Sequence, residues 1–565
     1  MRRSGNARRV AAGLGFVMLA GCSLPLPSGT HVSHDVRAEQ REPGDIQVLP
    51  PGPRQKATPV DIVQGFLGAE SSPDKGYAIA EQYLTADAHW SHNEVQVYDP
   101  ASVRLAESTS DPSSATVAVT FTKLGLLTKE GAYSDLVPTP VREGYTLVRG
   151  RAGEWRISSP PFGLRLTPAD RERSFRGRRL FYLSRSPKAT LHVVPDLVQL
   201  PAGTAALQAA ISRLLQAPSA ALRGSVTTAF PAGTRLLSLH AEAGGLVVID
   251  LSTEVLQASG SQRQGLSAQL VWTLRGLDPR FERLRLLAAG KPVAVPSEGD
   301  VQRAEDWNVL DPEGLVDGPL YFIRGGRLTT LSAGGRVAAG PSAAAGLDVD
   351  RAALTPDRTK IALLHRAGRE VTVRAGPVSA GTYPVVLRAP TLSSPTWGSG
   401  ELGLWLLDGS GQVLLLRPNG RTVAVDVAGL TNPVTSISVS RDGARAALIS
   451  GGQVFVGRIT TGAHGVPAFR ASSVAPELTE VTRVAWRDGT TLVALGVLAQ
   501  TFVPVVLAVD GSSIRPLEVT GLPSKPRELA ASALGTAVTA SGQIFVLSAL
   551  GFRSGPLGTA PTYPG

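Results

Sequence analysis

The only cysteine among 565 residues, Cys22, stands directly behind Leu19-Ala20-Gly21. A thiolate is the natural nucleophile to carry a thioether-linked diacylglycerol, and the small residues Ala20 and Gly21 suit recognition by a signal peptidase. Four arginines, Arg2, Arg3, Arg8 and Arg9, precede an apolar run from Val10 to Ala20. That run is far shorter than the roughly 20 residues a bilayer-spanning helix needs, so it predicts export and cleavage rather than spanning. Two or more acyl chains, at about 0.8 kcal/mol per buried CH₂, would hold a chain that begins at Cys22 on the outer face of the lipid bilayer. With no second cysteine the exported part forms no internal disulfide, and its folding rests on apolar burial. Residues 1–21 are therefore expected to be a signal peptide of the kind bacterial lipoproteins carry.

Other chemistries are poorly supported. The tightest titratable group, Asp87, His89, His92 and Glu94 in "DAHWSHNE", lacks the further ligands at fitting spacing that a structural metal site requires, so no metal is expected. His31 and His34 fall where no scaffold would preorganise them. Ser72-Pro73-Asp74-Lys75 matches the Ser-x-x-Lys of penicillin-recognising enzymes, yet neither Ser-Asp-Asn nor Lys-Thr-Gly occurs, and helix capping by Ser72 explains it more simply. Asp348 and Asp350 offer an Asp-x-Asp without the glycine turn and bidentate glutamate of a calcium loop. There is no Gly-x-Ser-x-Gly elbow, P-loop or His-Glu-x-x-His. No catalytic residue and no cofactor is expected; the chain reads as a non-enzyme.

Charge then becomes the main source of partner chemistry. The formal net charge is +10, and 48 of the 56 basic residues are arginine. A basic surface attracts phosphates, but export removes nucleic acid as a partner and leaves an anionic envelope. The densest cationic run, Arg171, Arg173, Arg176, Arg178 and Arg179 in "RERSFRGRRLFYLSR", reads either as a solvated or interface-paired connector or as a docking patch, where guanidinium groups fork onto carboxylates or phosphates. Phe175, Phe181 and Tyr182 stand beside it to anchor either contact.

The elements that must position these groups follow from the periodicities. Residues 22–55, with Pro25, Pro27, Pro43, Pro50, Pro51 and Pro53 and no helical or strand period, predict an extended tether reaching up to about 3.1 Å per residue. Thr58-Pro59 is an N-cap with proline at the first helical position, followed by Ile62, Val63, Phe66 and Leu67 at helical spacing. Ser72-Pro73-Asp74 repeats the signal for a second helix whose buried face is Tyr77, Ala80, Tyr83 and Leu84. From Val95 the period drops to two, through Val117, Val119, Phe121, Tyr145, Leu147, Trp155 and Ile157. Helices first and strands afterwards, over 56–184, resemble the NTF2/cystatin-like α+β cone.

From 185 to 305 the pattern is α/β. It comprises a strand around Leu191, Val193 and Val194, a helix from Thr204 to Ala217, a buried strand "LVVIDL" at 246–251, a helix from Gly265 to Arg275, and "RLRLLAAGKPV". This order resembles the GerMN module of spore germination and sporulation proteins. From 306 to 565 an internal repeat appears: Asp317-Gly318, Asp357, Ser399-Gly400, Asp442-Gly443, Asp488-Gly489 and Gly535 each precede an apolar strand, at intervals near 40 to 46 residues. Most then turn at glycine into a second strand, as in "ARAALISGGQVFVGRI", which predicts an all-β propeller of about six blades.

Taken together, "WRISSPPFGLRLTPADRERSFRGRRLFYLSRSPKATLHVVPDLVQLPAG", "AEQYLTADAHW" upstream and the order of parts resemble the LpqB lipoproteins of actinobacteria along essentially the whole chain. The resemblance implies an accessory of the MtrA–MtrB two-component system that engages the extracytoplasmic part of the sensor histidine kinase MtrB, with cell-wall homeostasis and division as the linked processes. It carries over Cys22 and no catalytic residue. The alternative is an envelope-glycan or small-ligand binding module that uses the propeller channel or the α+β cone.

Overall fold

The computed structural model describes residues 50–72, 77–185, 192–202, 206–311, 318–341, 346–398, 403–461 and 467–565. Leu19, Ala20, Gly21 and Cys22, with the tether up to residue 49, lie outside the described residues.

The first helix, Pro59–Ala69, begins where the sequence places it. Thr58 Oγ1 accepts from the Asp61 amide and the Asp61 carboxylate accepts from the Thr58 amide, so two amides that the helix cannot satisfy are paired. Ile62, Val63 and Phe66 are buried, while Leu67 only flanks the core. The second helix is one turn, Ala78–Glu81, with Tyr77 at its N-cap in a left-handed conformation; Pro73–Gly76 lie outside the described residues. Both helices precede a sheet ordered Trp155–Ser159, Tyr133–Arg149, Ser114–Leu127, Val95–Tyr98, Leu164–Leu166, whose last pair is parallel. Ser114–Leu127 is long enough to pair with Arg104–Asp111 along one half and with Val95–Tyr98 along the other. The period-two residues Val117, Val119, Phe121, Tyr145, Leu147 and Ile157 bury one face of this sheet against the first helix.

A short helix, Pro168–Ser174, leads straight into the strand Phe175–Ser184. This strand pairs antiparallel with Val193–Pro201, and Leu180–Leu183 sit in the core of the α/β unit. The same core holds the helix Gly260–Leu277, which crosses between the parallel strands Leu246–Leu251 and Arg283–Ala288. This helix starts five residues before Gly265 because Ser259 and Gln262 form a reciprocal capping box that the apolar period does not reveal.

Beyond residue 318 six sheets follow in succession, each ordered from its innermost strand outward. The innermost strands of blades two to six are Arg351–Leu354, Leu392–Trp397, Val434–Val439, Thr479–Asp488 and Glu528–Ser532. Blade one takes its innermost strand from the far end of the chain: Thr559–Thr562 pairs with Leu320–Arg324 and closes the ring. Blade four carries a fifth strand, Asp426–Ala428, parallel to its outer edge. The repeated aspartates are turn-formers between the first and second strands of a blade. Asp357 Oδ1 accepts from the Thr359 amide at 3.0 Å, Asp442 Oδ1 from Ala444 at 2.9 Å and Asp488 Oδ1 from Thr490 at 2.8 Å. Innermost-strand tryptophans join neighbouring blades: Trp397 Nε1 donates to Ala353 O and Trp486 Nε1 to Ser438 O.

Candidate functional site

The arginine run sits where the three parts meet. A cleft of about 1380 Å³ is bordered there by Tyr133 and Asp135 of the α+β unit, Arg171 and Arg176 of the connector, and Glu477 and Arg515 of the propeller. Arg171 ends the first turn of its helix, which Thr167 caps by accepting from the Asp170 amide. Its guanidinium carbon lies 4.9 Å from the centroid of the Tyr133 ring, and Nη2 donates to Ser512 O at 2.9 Å and to Glu172 Oε1 at 3.2 Å. Its buried Nε has no partner among the described residues. Arg171 is therefore a buried clamp between the first unit and the propeller.

Acids cluster around the clamp. Tyr133 Oη donates to Asp135 Oδ1 at 2.8 Å, and burial pushes the Asp135 carboxyl up to about 6, helped by the charges of Glu477 and Asp510 and opposed by Tyr133 and Arg171. Asp510 stands half-buried in the turn after the third strand of blade five, and desolvation pushes its carboxyl up too. It accepts from Gln199 Nε2 at 3.0 Å, which ties the α/β unit to the same corner. Gly511, at φ +75°, allows this approach: a Cβ there would collide with Asp135 Oδ2. A second seam lies beside it. Arg445, buried, donates from Nη2 to Pro195 O at 2.6 Å and from Nη1 to Gly489 O at 2.8 Å.

The five arginines thus have different fates. Arg171, Arg173 and Arg176 border the cleft, with Arg173 exposed and paired to Asp170. Arg178 and Arg179 are half-buried on the strand Phe175–Ser184, on opposite faces, and do not line the cleft. The other sequence candidates do not converge: His92 packs its ring 4.9 Å from Tyr77, and no group of three or more His, Cys, Asp or Glu among the described residues could hold a metal ion. Asp350 accepts from the Arg366 amide at 2.6 Å. No helix among the described residues is long and apolar enough to cross a membrane. The sequence reading missed Tyr133, Asp135, Glu477 and Asp510, whose only local signal is an Asp-Gly turn indistinguishable from its neighbours.

Family models match three consecutive stretches: the N-terminal domain of lipoprotein LpqB over residues 52–172, the sporulation and spore germination domain over 179–294, and the LpqB β-propeller domain over 326–564. Curated relatives extend the match end to end. Lipoprotein LpqB of Thermobifida fusca is 28% identical, covering 99% of this chain and 100% of its own length; that of Streptomyces coelicolor is 28% identical over 100% and 98%. The chain belongs to the LpqB lipoprotein family. Among solved structures, TolB from Acinetobacter baumannii is 16% identical over 46% of this chain and 70% of its own, with a TM-score of 0.36. The tandem GerMN domains of GerM from Bacillus subtilis are 19% identical over 24% and 48%, with a TM-score of 0.20. In this LpqB-family chain the stretch between the first two family models, 173–178, contains Arg173, Arg176 and Arg178, so three of the five arginines of the run lie at the passage from one domain to the next.

Proposed function

We propose that this chain is a non-enzymatic lipoprotein, anchored through Cys22 to the extracytoplasmic face of the cell membrane, that binds the outward part of an MtrB-type sensor histidine kinase and alters its output. The observation that carries the reading is the cleft itself. Its border is contributed by the α+β unit, the connector and the propeller at once, so a partner segment seated there touches every part whose relative position could change. Arg173, Arg176 and Arg515 supply cationic groups for an acidic partner segment, while Arg171 keeps the border assembled. End-to-end similarity to the LpqB lipoproteins supports the anchoring half of the proposal.

Copurification of the lipidated full chain with membrane kinases tests it. Capture of an MtrB-type kinase is expected, and Arg173→Glu with Arg176→Glu should reduce it at least about tenfold, the equivalent of about 1.4 kcal/mol. Cys22→Ala should release the chain from membranes. Absence of any kinase from crosslinked envelopes overturns the reading.

A further inference from the structure

The two faces of the propeller are unequal. In each blade the turns after the first and third strands lie on one face, and the turn after the second strand and the loop to the next blade lie on the other. Gly489, Asp510 and Ser512 belong to the first face, which is covered by Pro195, Gln199 and Arg171. Among the described residues no hydrogen bond or ion pair joins Pro195, Gln199 or Arg171 to the opposite face.

On that opposite face a groove of about 680 Å³ runs between blades five and six. Three cations line it, Arg483, Lys525 and Arg527, with the hydroxyls of Thr482, Ser524 and Ser541, and no carboxylate is among its lining residues. None of the three cations takes part in an ion pair among the described residues. Lys525 Nζ stands 3.7 Å from the Phe502 ring centroid, and Ser524 Oγ and Ser541 Oγ are 2.9 Å apart. Arg483 also lines the central channel, where Arg351 is paired to Glu528 at 2.9 Å. Glu528 is fully engaged, its second oxygen accepting from the Ala560 amide at 2.6 Å. The channel mouth thus continues the groove with one cation more than its carboxylate can balance. Burial and the facing charge of Arg351 both press against the charge of Arg483, so an incoming anion would relieve a repulsion already present.

We propose that this groove binds a soluble phosphodiester-linked chain, successive phosphates meeting Lys525 and Arg527 and then Arg483 at the channel mouth. Spaced cations interleaved with hydroxyl donors suit a chain of repeated tetrahedral anions better than a single carboxylate, which one guanidinium fork would satisfy. None of the large exposed apolar side chains of the described residues lines the groove, as a surface meant to enter a bilayer would require.

Isothermal titration of the full chain carrying Cys22→Ser with a synthetic poly(glycerol phosphate) oligomer tests this. Saturable, salt-weakened binding is expected, and Lys525→Ala with Arg527→Ala, both exposed and so compatible with folding, should together weaken it at least about tenfold. Arg173→Glu with Arg176→Glu should leave it unchanged, which separates this site from the proposed kinase contact. No binding, unaltered binding by the Lys525/Arg527 variant, equal binding of poly-γ-glutamate or uncharged dextran, or preference for phosphatidylglycerol vesicles would each overturn the proposal.

Discussion

Arg165 is among the largest fully buried side chains of the molecule, and its surroundings explain why a charge is tolerated there. Its Nε donates to Glu143 Oε2 at 2.7 Å, Nη1 lies 3.5 Å from Glu70 Oε1, its amide donates to Glu70 Oε2 at 2.5 Å, and Nη1 and Nη2 reach the carbonyls of Gly163 and Phe162. Two carboxyl groups thus flank one guanidinium. Burial pushes Glu70 up to about 8 even though Arg165 pulls it down. Arg165→Ala should cost about 3–5 kcal/mol, because it takes the guanidinium from buried Glu70 and half-buried Glu143 and leaves the Gly163 and Phe162 carbonyls without their donor, and a denaturant titration will read the loss. Glu70 has its own pH signature. The folded chain holds this proton more tightly than the unfolded one, so its contribution is present below pH 4.5 and is lost as pH rises toward about 8. Glu70→Gln should flatten the decline of Tm between pH 5 and 8; an unchanged slope would show that Glu70 is not its source. None of this was legible in the sequence, where Glu70 and Arg165 are 95 residues apart and each reads as an ordinary surface charge. The expectation for Cys22 is of another kind, since it rests on the immediate neighbours of that residue alone.

At the scale of elements the same distinction holds. The blades announce themselves because each hairpin is local: Asp357, Asp442 and Asp488 bond to amides two residues on, and the strands they join are adjacent in the chain. The closing strand is different. Thr559–Thr562 is four residues rich in small side chains, and its partner Leu320–Arg324 lies at the far end of the repeat, so no periodic signal marks it. Its removal exposes the edge of blade one. It also withdraws the Ala560 amide from Glu528 and the Gly565 amide from Leu354 O. Truncation after Gly558 should therefore lower the Tm by about 10 °C, a shift corresponding to a few kcal/mol in a domain of this size, and make blade one a site of early proteolysis. A truncated chain with unchanged melting would show that the ring does not depend on this closure.

At the scale of the whole molecule, the corner around Arg171 is one of the seams that join the three folded parts, beside the one made by Arg445. Arg171 spans from Tyr133 to Ser512, Gln199 reaches Asp510, and Asp135 sits among Glu477 and Asp510. The apolar clusters of the α+β unit and of the propeller are separate, so this seam rests on polar contacts and depends on solution conditions more than the cores do. Its pH dependence has a definite sign. The closed seam raises Asp135 from 3.8 to about 6, so the closed arrangement binds that proton more tightly than separated domains would. The resulting stabilisation is present at low pH and is lost as pH rises through about 6. The radius of gyration, followed by small-angle scattering from pH 5 to 7.5, should increase. Asp135→Asn, which removes the charge while keeping an acceptor for Tyr133 Oη, should hold the compact value across that range. If the variant expands with pH as the parent does, Asp135 is not the group that loosens the corner. If it stays compact and binds kinase with altered strength, the cleft couples partner binding to domain arrangement.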